Sequence, residues 1–324
     1  MSNGKSFAPD DVCIHGNEAF DRKLQPFESY YFHSSGKVEV DVPVGQMTLS
    51  ASHGFEHEII TLNKNIESPE TIDLVLESID PPADWGTWVN ADLHVHMNYG
   101  GHYRNTPERL SAMAKSEDLD VVYNLVVNKE QRIPDIDYFS SKPDNASDDE
   151  VLIVHGQEYH TSYWGHLGLI GLTNYFLPGY TFYSKTAMAS AFPSNAVIAD
   201  MTHDQKGLVG YVHPFDTELD LTKPTGYSLP VDVALGKVDY YEAMGYSDHH
   251  ITTKVWYRFM NCGFRLTPVG GTDAMPNFAS LRGPVGLTRA FIKIDERDKT
   301  SLQEKLLSAI KKEEHSPAMV LFWD

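Results

Sequence analysis

The sequence predicts an α/β fold in which a parallel sheet, open or closed into a barrel, follows a small β-rich, sandwich-like domain. After residue 86, apolar strand patterns alternate with helical ones, as is typical of a parallel sheet. Before residue 80, short strand candidates are separated by glycine, proline, asparagine and histidine, as is typical of a small antiparallel unit. The proline-rich stretch 80–86 separates the two patterns and predicts domains at residues 1–85 and 86–324.

The composition is that of a globular protein with an acidic surface. Hydrophobic residues make up 41% of the 324 positions and charged residues 22%, which excludes wholesale disorder. The 26 Lys and Arg against 45 Asp and Glu give a net charge of −19. Because such a field repels phosphate backbones and anionic lipids, we expect a small-molecule substrate, no nucleic-acid partner and no membrane partner. No apolar run is long enough for a membrane helix, so we expect a cytoplasmic location.

In the amino-terminal region, the strand predictions rest on alternation of side chains. Lys37–Val42 alternates valines with acidic residues, so that the valines share one face of a strand. Further short strands are predicted at Gln46–Ala51, Glu58–Leu62 and Thr71–Ile79. Together these segments predict the small antiparallel sandwich.

In the second region, predicted strands and helices follow one another in turn. The first strand, Trp88–Val95, is followed by a helix start at Thr106-Pro107-Glu108, where threonine caps, proline opens the first turn and the acid meets the positive end of the dipole. This helix is predicted to end near Ser116. The other predicted strands are Leu119–Val127, Val151–Val154, Leu167–Leu172, Gly207–Val212, Val238–Ala243, Phe264–Val269 and Ala290–Ile294, and the other helices are near Ser184–Ala191, His249–Asn261 and Thr300–Lys312.

Several predicted strands end or begin at a histidine or a carboxylate. Alternation along the strand places Asp92, His94 and His96 on one face, and a His-x-His pair on a strand can bind one metal ion. Taken singly, each such residue is equally explained as a satisfied polar group at a strand terminus. Similar side chains at other strand ends are Glu158, His166, His213 and Asp273. Because sites in parallel α/β folds are built at one end of the sheet, these residues predict a zinc, manganese or iron site.

Four ordered motifs resemble those of the polymerase and histidinol phosphatase (PHP) superfamily. They are Asp92–His96, Glu158 with Gly165-His166, His213-Pro214 and Gly271–Ala274. Within that superfamily, Trp256–Arg258 and Asn261–Leu266 are similar to the carbaryl-hydrolase (CehA/McbA-type) branch. The resemblance implies a distorted seven-stranded β/α barrel that holds up to three clustered metal ions, with a β-rich region ahead of it.

The resemblance also implies a ligand set. The first ion would be held by His94, His96, Glu158 and Asp273, and the second by Glu158, His166 and His213. A third site normally takes three histidines; here His102 fills the first place, but Asn128-Lys129 and Met275 occupy the other two. Thioether and ammonium groups are poor ligands for hard divalent ions, so we expect two ions and not three. We expect Asp92 to support a histidine ring.

The resemblance implies a metal-dependent hydrolase that uses a metal-bridged hydroxide to cleave an ester, carbamate or amide bond. Two cations would lower the pKa of the bridging water and polarise the scissile carbonyl. Asp273 would orient or deprotonate the water, and the donor to the leaving group would be His102, His160 or Lys129. Two alternatives stay open: a phosphoesterase of the same superfamily, and a non-catalytic binding module with a vestigial metal site.

Six further side chains are candidates for the substrate pocket. Two flank His102, one belongs to an aromatic run that suits an aromatic substrate, two precede an apolar helix, and one arginine can meet an anionic group. Each also has an ordinary structural explanation as a loop, turn or helix-cap residue. The six are Tyr99, Arg104, Tyr180, His249, His250 and Arg282.

Overall fold

The structure, a computed structural model, describes residues 6–9, 31–79, 82–100, 104–127, 133–161, 163–179, 184–185, 189–215, 227–246, 248–277, 283–298 and 301–311. The strands in these ranges are β1 (Gly45–Ala51), β2 (Ile60–Ile66), β3 (Thr87–Val95), β4 (Val121–Val127), β5 (Leu152–Tyr159), β6 (Leu167–Ile170), β7 (Leu208–Tyr211), β8 (Tyr240–Met244), β9 (Thr267–Gly270) and β10 (Ala290–Ile294). The α-helices are α1 (Pro107–Ser116), α2 (Asn195–Asp204), α3 (Leu229–Ala234), α4 (His249–Asn261) and α5 (Leu302–Lys311). No helix of this described part is long and apolar enough to cross a membrane.

One mixed sheet of eight strands forms the centre of the molecule, in the order β10-β3-β4-β5-β6-β7-β8-β9. The segment after β9 returns to β3, where the backbone N–H of Asp273 donates to the carbonyl of His94 at 2.7 Å. The N–H of His96 in turn donates to the carbonyl of Ala274 at 2.9 Å. These bonds nearly close the sheet into a barrel. The predicted α/β barrel class is confirmed, with eight strands in the sheet in place of the expected seven.

The prediction of a parallel sheet holds for two runs of the barrel. The pairs β3–β4, β4–β5, β7–β8 and β8–β9 are parallel. Strand β6 is antiparallel to both of its neighbours, and β10 is antiparallel to β3. A crossover helix is needed to return a chain for parallel pairing, and residues 160–166 between β5 and β6 are too few to supply one. This reversal sets which end of β6 reaches the barrel mouth.

The predicted helix starts have mixed outcomes. The cap of α1 is confirmed, because Pro107 opens the helix and the Thr106 hydroxyl accepts from the Arg109 N–H at 3.4 Å. The helix predicted near residues 184–191 is wrong in the part that the structure describes, where residues 189–191 are not helical. The helix of this connection begins later, at Asn195. Pro193 lies just ahead of that start, a position that favours an extended chain before a helix.

The amino-terminal region contains one two-stranded sheet within the described residues. Strands β1 and β2 pair antiparallel, and an isolated bridge joins His57 to Ser78. The segments 37–42 and 71–77 belong to no strand ladder, so this sheet and the bridge are what the described residues show of the expected sandwich. Val75 is 75% exposed, so none of the described residues forms an apolar layer over it, and alternation by itself does not produce a strand there. The domain boundary at residue 85 stays a prediction.

The fully buried Asp92 lies where the two ends of the barrel sheet meet. Its carboxylate accepts from the backbone N–H of His94 at 3.1 Å, of Thr272 at 3.0 Å and of Gly286 at 2.8 Å, and from the Thr272 hydroxyl at 2.6 Å. Burial raises the pKa of this carboxyl, and the same hydrogen bonds act in the opposite direction. The expectation that Asp92 supports a histidine ring is corrected, because its partners are backbone groups and a hydroxyl.

Replacing this carboxylate tests its role in closing the barrel. In Asp92→Asn, the new amide NH₂ faces the Gly286 N–H, which leaves a buried donor without an acceptor. We expect the free energy of unfolding to fall by about 1–3 kcal/mol, measured by denaturant titration of the metal-free protein. Asp200→Asn is the matched control, since the Asp200 side chain is 57% exposed and its removal should change the midpoint little. Equal stability of Asp92→Asn and the parent chain would contradict this role.

Candidate metal centre

Six side chains that the sequence identifies as candidate ligands meet at one mouth of the barrel. They come from the ends of β3, β5, β7 and β9 and from the start of β6. Because β6 runs antiparallel to β5 and β7, its start lies at the same edge as their ends. The six side chains are His94, His96, Glu158, His166, His213 and Asp273.

Glu158 lies at the centre of this group and has different partners on its two carboxylate oxygens. Its Oε2 lies 3.1 Å from Nε2 of His96. Its Oε1 lies 2.8 Å from Nδ1 of His166 and 3.2 Å from Nε2 of His213. The carboxylate is therefore placed between two sets of imidazoles, which is the position that a ligand shared by two ions needs.

The His-x-His pair and Asp273 bring three donor atoms together on the other side of Glu158. Nε2 of His96 lies 3.2 Å from Oδ1 of Asp273, and Nε2 of His94 lies 3.6 Å from the same oxygen. The two Nε2 atoms are 3.2 Å apart. A tetrahedral zinc ion binds ligands at roughly 2.0–2.1 Å, which spaces the ligand atoms about 3.3 Å from one another. The donor set and its spacing therefore fit a divalent ion.

The orientation of both rings in the pair is fixed from behind. Nδ1 of His96 donates to the carbonyl of Leu125 at 2.7 Å, which leaves the lone pair of the neutral ring on Nε2. Nδ1 of His94 lies 2.9 Å from Oε2 of Glu242. The other oxygen of Glu242 accepts from the backbone N–H of His213 at 2.8 Å. One buried carboxylate at the end of β8 thus orients two candidate ligands.

Glu242 was missed by the sequence analysis, although a signal for it existed. It lies within the predicted strand 238–243, next to its carboxyl end, and an acid at a strand end is the pattern that identified Glu158. It fills the supporting role that the sequence analysis expected of Asp92. Unlike the strand that carries Glu158, β8 contributes no candidate ligand to the described cluster. Glu242 therefore lies in none of the motifs that the sequence analysis used.

Local backbone geometry aims the last two ligands into the mouth. His213 and Asp273 both have positive φ, at 30° and 54°, in a region that non-glycine residues rarely adopt. Each follows a strand, and the two side chains meet at the mouth, where Nε2 of His213 lies 3.7 Å from Oδ2 of Asp273. At Gly271 an added Cβ would lie 2.5 Å from Cβ of His94. Glycine is therefore required there for the β9 end to approach the His-x-His strand.

Without ions, His96 and His213 face the carboxylates of the mouth as protonated rings. Burial by itself raises the pKa of Glu158 and of Asp273, but the facing histidines outweigh it and lower both pKa values. Burial lowers the pKa of His96 and of His213, but contacts with these carboxylates outweigh it. They raise the pKa of His96 to about 10 and the pKa of His213 to about 9.

His160 lies beside the second set of ligands and differs from them in charge. Its ring stacks at a tilt on that of His166, with the centroids 3.9 Å apart, and it forms a possible metal-binding group with Glu158 and His166. Burial and, after it, the charge of His166 lower the pKa of His160 to about 4. A ring that is neutral at pH 7 can bind a metal ion or accept a proton. The role of His160 as the donor to the leaving group stays a prediction.

A cavity of about 230 Å³ opens beside the candidate ligands. Tyr99 lines it, with its ring centroid 5.3 Å from that of His96, as expected for a pocket residue. Tyr227 and Tyr246 also line it, although no motif in the sequence marked either of them. The other described wall residues besides the ligands and His160 are Thr161, Gly165, Val212 and Pro214. No lysine or arginine lines the part of this cavity that the structure describes.

Three pocket candidates lie away from the described cavity wall. Arg104 is exposed and donates from Nη1 to the carbonyl of Gly100 at 3.3 Å. His249 and His250 form the first turn of α4, where the Asp248 carboxylate caps the helix by accepting from the His250 N–H at 2.9 Å. This cap fixes the histidines to the helix start. The candidates His102, Lys129, Tyr180 and Arg282 lie outside the described residues, as does Asn128.

A substitution at Glu242 tests whether it orients the ligands. In Glu242→Gln, the amide no longer offers two acceptor oxygens to His94 and the His213 N–H, so both ligands lose their fixed orientation. We expect metal affinity to fall by roughly 10–100-fold, measured by competition with a chromophoric chelator. Asp239→Asn is the control, because Asp239 also lies at β8 but pairs with His203 outside the mouth. Unchanged affinity in Glu242→Gln would contradict the assignment.

The raised histidine pKa values predict a pH dependence for metal binding. His96 and His213, with pKa values of about 10 and about 9, carry protons at neutral pH in the metal-free chain and must lose them to bind an ion. We expect affinity to rise by roughly tenfold per pH unit for each proton released between about pH 6 and about pH 8. Calorimetry in buffers of different ionisation enthalpy measures the proton release directly. Binding without proton release would show that the two rings are already neutral.

The comparisons with known proteins concern the architecture. No protein-family model and no curated protein matches the chain. It is similar to a two-domain protein from Bacteroides vulgatus ATCC 8482 described as containing a "predicted PHP-like metal-dependent phosphoesterase", at 16% identity over 70% of this chain and 64% of that one, with a TM-score of 0.45. It is also similar to Endonuclease Q in complex with a 27-mer duplex substrate with an abasic lesion, at 18% identity over 72% and 59%, with a TM-score of 0.48. A third is PsfC from Pseudomonas syringae PB-5123, at 16% identity over 68% and 88%, with a TM-score of 0.43.

The chain spans less than two thirds of the length of the first two of these proteins. The first carries the name of the superfamily that the motifs resemble, whereas the carbaryl-hydrolase branch is not confirmed and stays a prediction. The exclusion of a nucleic-acid partner is corrected, because Endonuclease Q holds a duplex substrate at its active site. Net charge describes the average surface and does not decide what one mouth of the barrel can bind.

Proposed function

We propose that the chain is a metal-dependent hydrolase that acts on a phosphoester at the barrel mouth. The observation that carries this proposal is the convergence of six histidine and carboxylate side chains from five strands, with donor spacings that suit divalent ions. Histidine with carboxylate and without thiolate favours zinc, manganese or iron over a structural zinc site.

Two ions are proposed for the mouth. His94, His96 and Asp273 would hold one of them, and His166 and His213 the other, with one oxygen of Glu158 toward each set. His160 is placed to complete the second set. In the proposed third site, Met275 is buried and offers only a thioether. We propose two ions and not three because Met275 and Asn128-Lys129 stand where the third site normally has histidines.

Bound divalent ions would supply a water of lowered pKa and a positive field for an oxygen of the substrate. The chain's own residues would do the remaining work. Asp273 is an ionised carboxylate at the mouth, because its pKa is lowered, so it can accept a proton. Tyr99 lies at the cavity wall beside His96 and can orient the substrate. Glu242 and the Leu125 carbonyl hold the histidine rings in one orientation.

A phosphoester is the first choice of substrate because paired cations neutralise a charged phosphoryl group from two sides. Many members of the superfamily that the motifs resemble are phosphoesterases. A neutral aryl ester or carbamate is the second candidate, and the cavity wall favours it. Tyr99, Tyr227 and Tyr246 offer aromatic surface, and no described lysine or arginine offers a partner for a phosphate.

A substrate panel separates the two candidates. We expect the metal-loaded protein to hydrolyse an aryl phosphate or phosphodiester faster than the matching aryl ester or carbamate, measured by release of the same phenol. A duplex with an abasic site belongs in the panel. Faster turnover of the neutral esters would favour the second candidate. No turnover of any of them with zinc, manganese or iron would favour a binding module with a vestigial site.

Glu158→Gln tests the shared ligand directly. The amide carries no charge and offers one acceptor oxygen, so it cannot serve two sets of ligands. We expect kcat to fall by roughly 100-fold or more, since loss of an orienting residue alone costs about 10–100-fold. Glu150→Gln is the matched control, because that side chain is 74% exposed and lies outside the mouth. Full activity of Glu158→Gln would overturn the proposed role.

A further inference from the structure

A second group of metal-binding side chains lies far from the barrel mouth, where the amino-terminal region meets the end of α1. His53 and His57 precede β2, and Asp118 follows α1. One donor atom from each lies within 4.8 Å of the others, and all three side chains are half-buried. We propose that these residues form a separate divalent-metal site, for which the donor set favours zinc, and that the ion fastens the amino-terminal region to the barrel.

The hydrogen bonds of both rings fix which nitrogen carries the proton, and the His53 ring faces Asp118 with its free Nε2. Nδ1 of His53 lies 3.1 Å from the carbonyl of Ser116, and Nδ1 of His57 lies 2.9 Å from the carbonyl of His53. A carbonyl can only accept, so both Nδ1 atoms carry protons and both neutral rings have their lone pair on Nε2. Imidazoles that bind metal ions commonly donate their other N–H to a backbone carbonyl in this way.

The distances to Asp118 are longer than those of a simple ion pair. Nε2 of His53 lies 3.7 Å from Oδ1 of Asp118, and Nδ1 of His57 lies 3.5 Å from Oδ2. In the same structure, the His203–Asp239 pair is shorter, with Nε2 of His203 2.7 Å from Oδ2 of Asp239. The spacing between Nε2 of His53 and Asp118 is close to the roughly 3.3 Å that separates ligands around zinc. His57 faces Asp118 with Nδ1, so its ring would have to turn to present Nε2 and complete a site with three protein ligands and water.

Two further acids and two arginines lie near the group. Asn90 donates to the carboxylates of Glu56 and Asp120, each at 2.9 Å, and Asp120 is paired with Arg297. Arg289 lies close by, but its guanidinium donates to the backbone carbonyls of Glu117 and Asp118, at 2.8 Å and 3.4 Å. The side chains that face the Asp118 carboxylate within ion-pair distance include both histidines.

Close approach of the two chain segments is built into the backbone. Gly54 has a φ of 61°, and an added Cβ there would lie 2.7 Å from the carbonyl oxygen of Glu117 and 2.8 Å from Cβ of Asp118. Only glycine allows the loop that carries His53 and His57 to reach Asp118. An ion at this point would cross-link residues about sixty positions apart. It would reduce the conformational entropy of the unfolded chain and hold the two segments together in the folded chain.

Zinc content of the full chain tests this proposal. After equilibration at micromolar free zinc, we expect His57→Asn to hold one zinc ion per chain fewer than the parent, measured by mass spectrometry of the metal. His203→Asn is the matched control and should keep the parent's content, since it removes a half-buried histidine from a simple pair. Hydrolase activity should be the same in all three proteins. The difference in zinc content between the variants and the parent does not depend on the proposed function, because it can be measured whether or not the barrel mouth binds metal ions.

A second variant guards against misfolding of the first. Asp118→Asn keeps a residue that tolerates the left-handed backbone, where φ is 52°, but removes the charged ligand. It should lose the same ion and lose the rise in thermal midpoint that zinc gives the parent. If both variants keep the parent's zinc content, the group is a histidine–aspartate clamp only and the proposal is overturned.

Discussion

The joint between β3 and the segment after β9 is the constraint on which the rest of this structure depends. It brings together residues about 180 positions apart and is made of backbone hydrogen bonds gathered around the buried Asp92 carboxylate. The same bonds that close the barrel set the distance between His94 and Asp273, because the N–H of Asp273 donates to the carbonyl of His94. Closure of the sheet and the geometry of the site therefore depend on the same hydrogen bonds.

Assembly of the site places several carboxylates where burial makes their charged forms unfavourable. Glu158, Glu242 and Asp273 are all buried within one mouth, and burial disfavours their charged forms. Either protons on His96 and His213 or divalent ions can supply the opposing charge. The contribution of His96 to stability is fully present below its usual pKa and is lost as pH rises through about 10. The metal-free chain is thus most dependent on ions at alkaline pH, where the protons are gone.

Sequence reasoning predicted which six side chains meet at the mouth, because their motifs lie at strand ends, where the fold leaves little freedom; their role as ligands stays a prediction. It did not predict that β6 runs antiparallel to its neighbours. The hydrophobic pattern of a strand shows that a strand is present but not in which direction it pairs, and here the short connection decides the direction. Tyr227 and Tyr246 reach the cavity from loops, so their place depends on tertiary packing alone. Glu242 was missed because β8 supplies an orienting group without a ligand. The strand pattern of residues 71–79 was misleading, because alternation without a partner layer does not form a sheet.

The two candidate metal groups lie at opposite ends of β4. Asp118 and Asp120 precede this strand, whereas Val127 at its other end pairs with Glu158. A strand of this length spans about 20 Å, at roughly 3.3 Å per residue. That is about twice the distance over which salt screens charges in physiological solution. Ions in the two places would therefore have little direct effect on each other. An ion near Asp118 would act on how the amino-terminal region is held, and ions near Glu158 on the chemistry of the mouth.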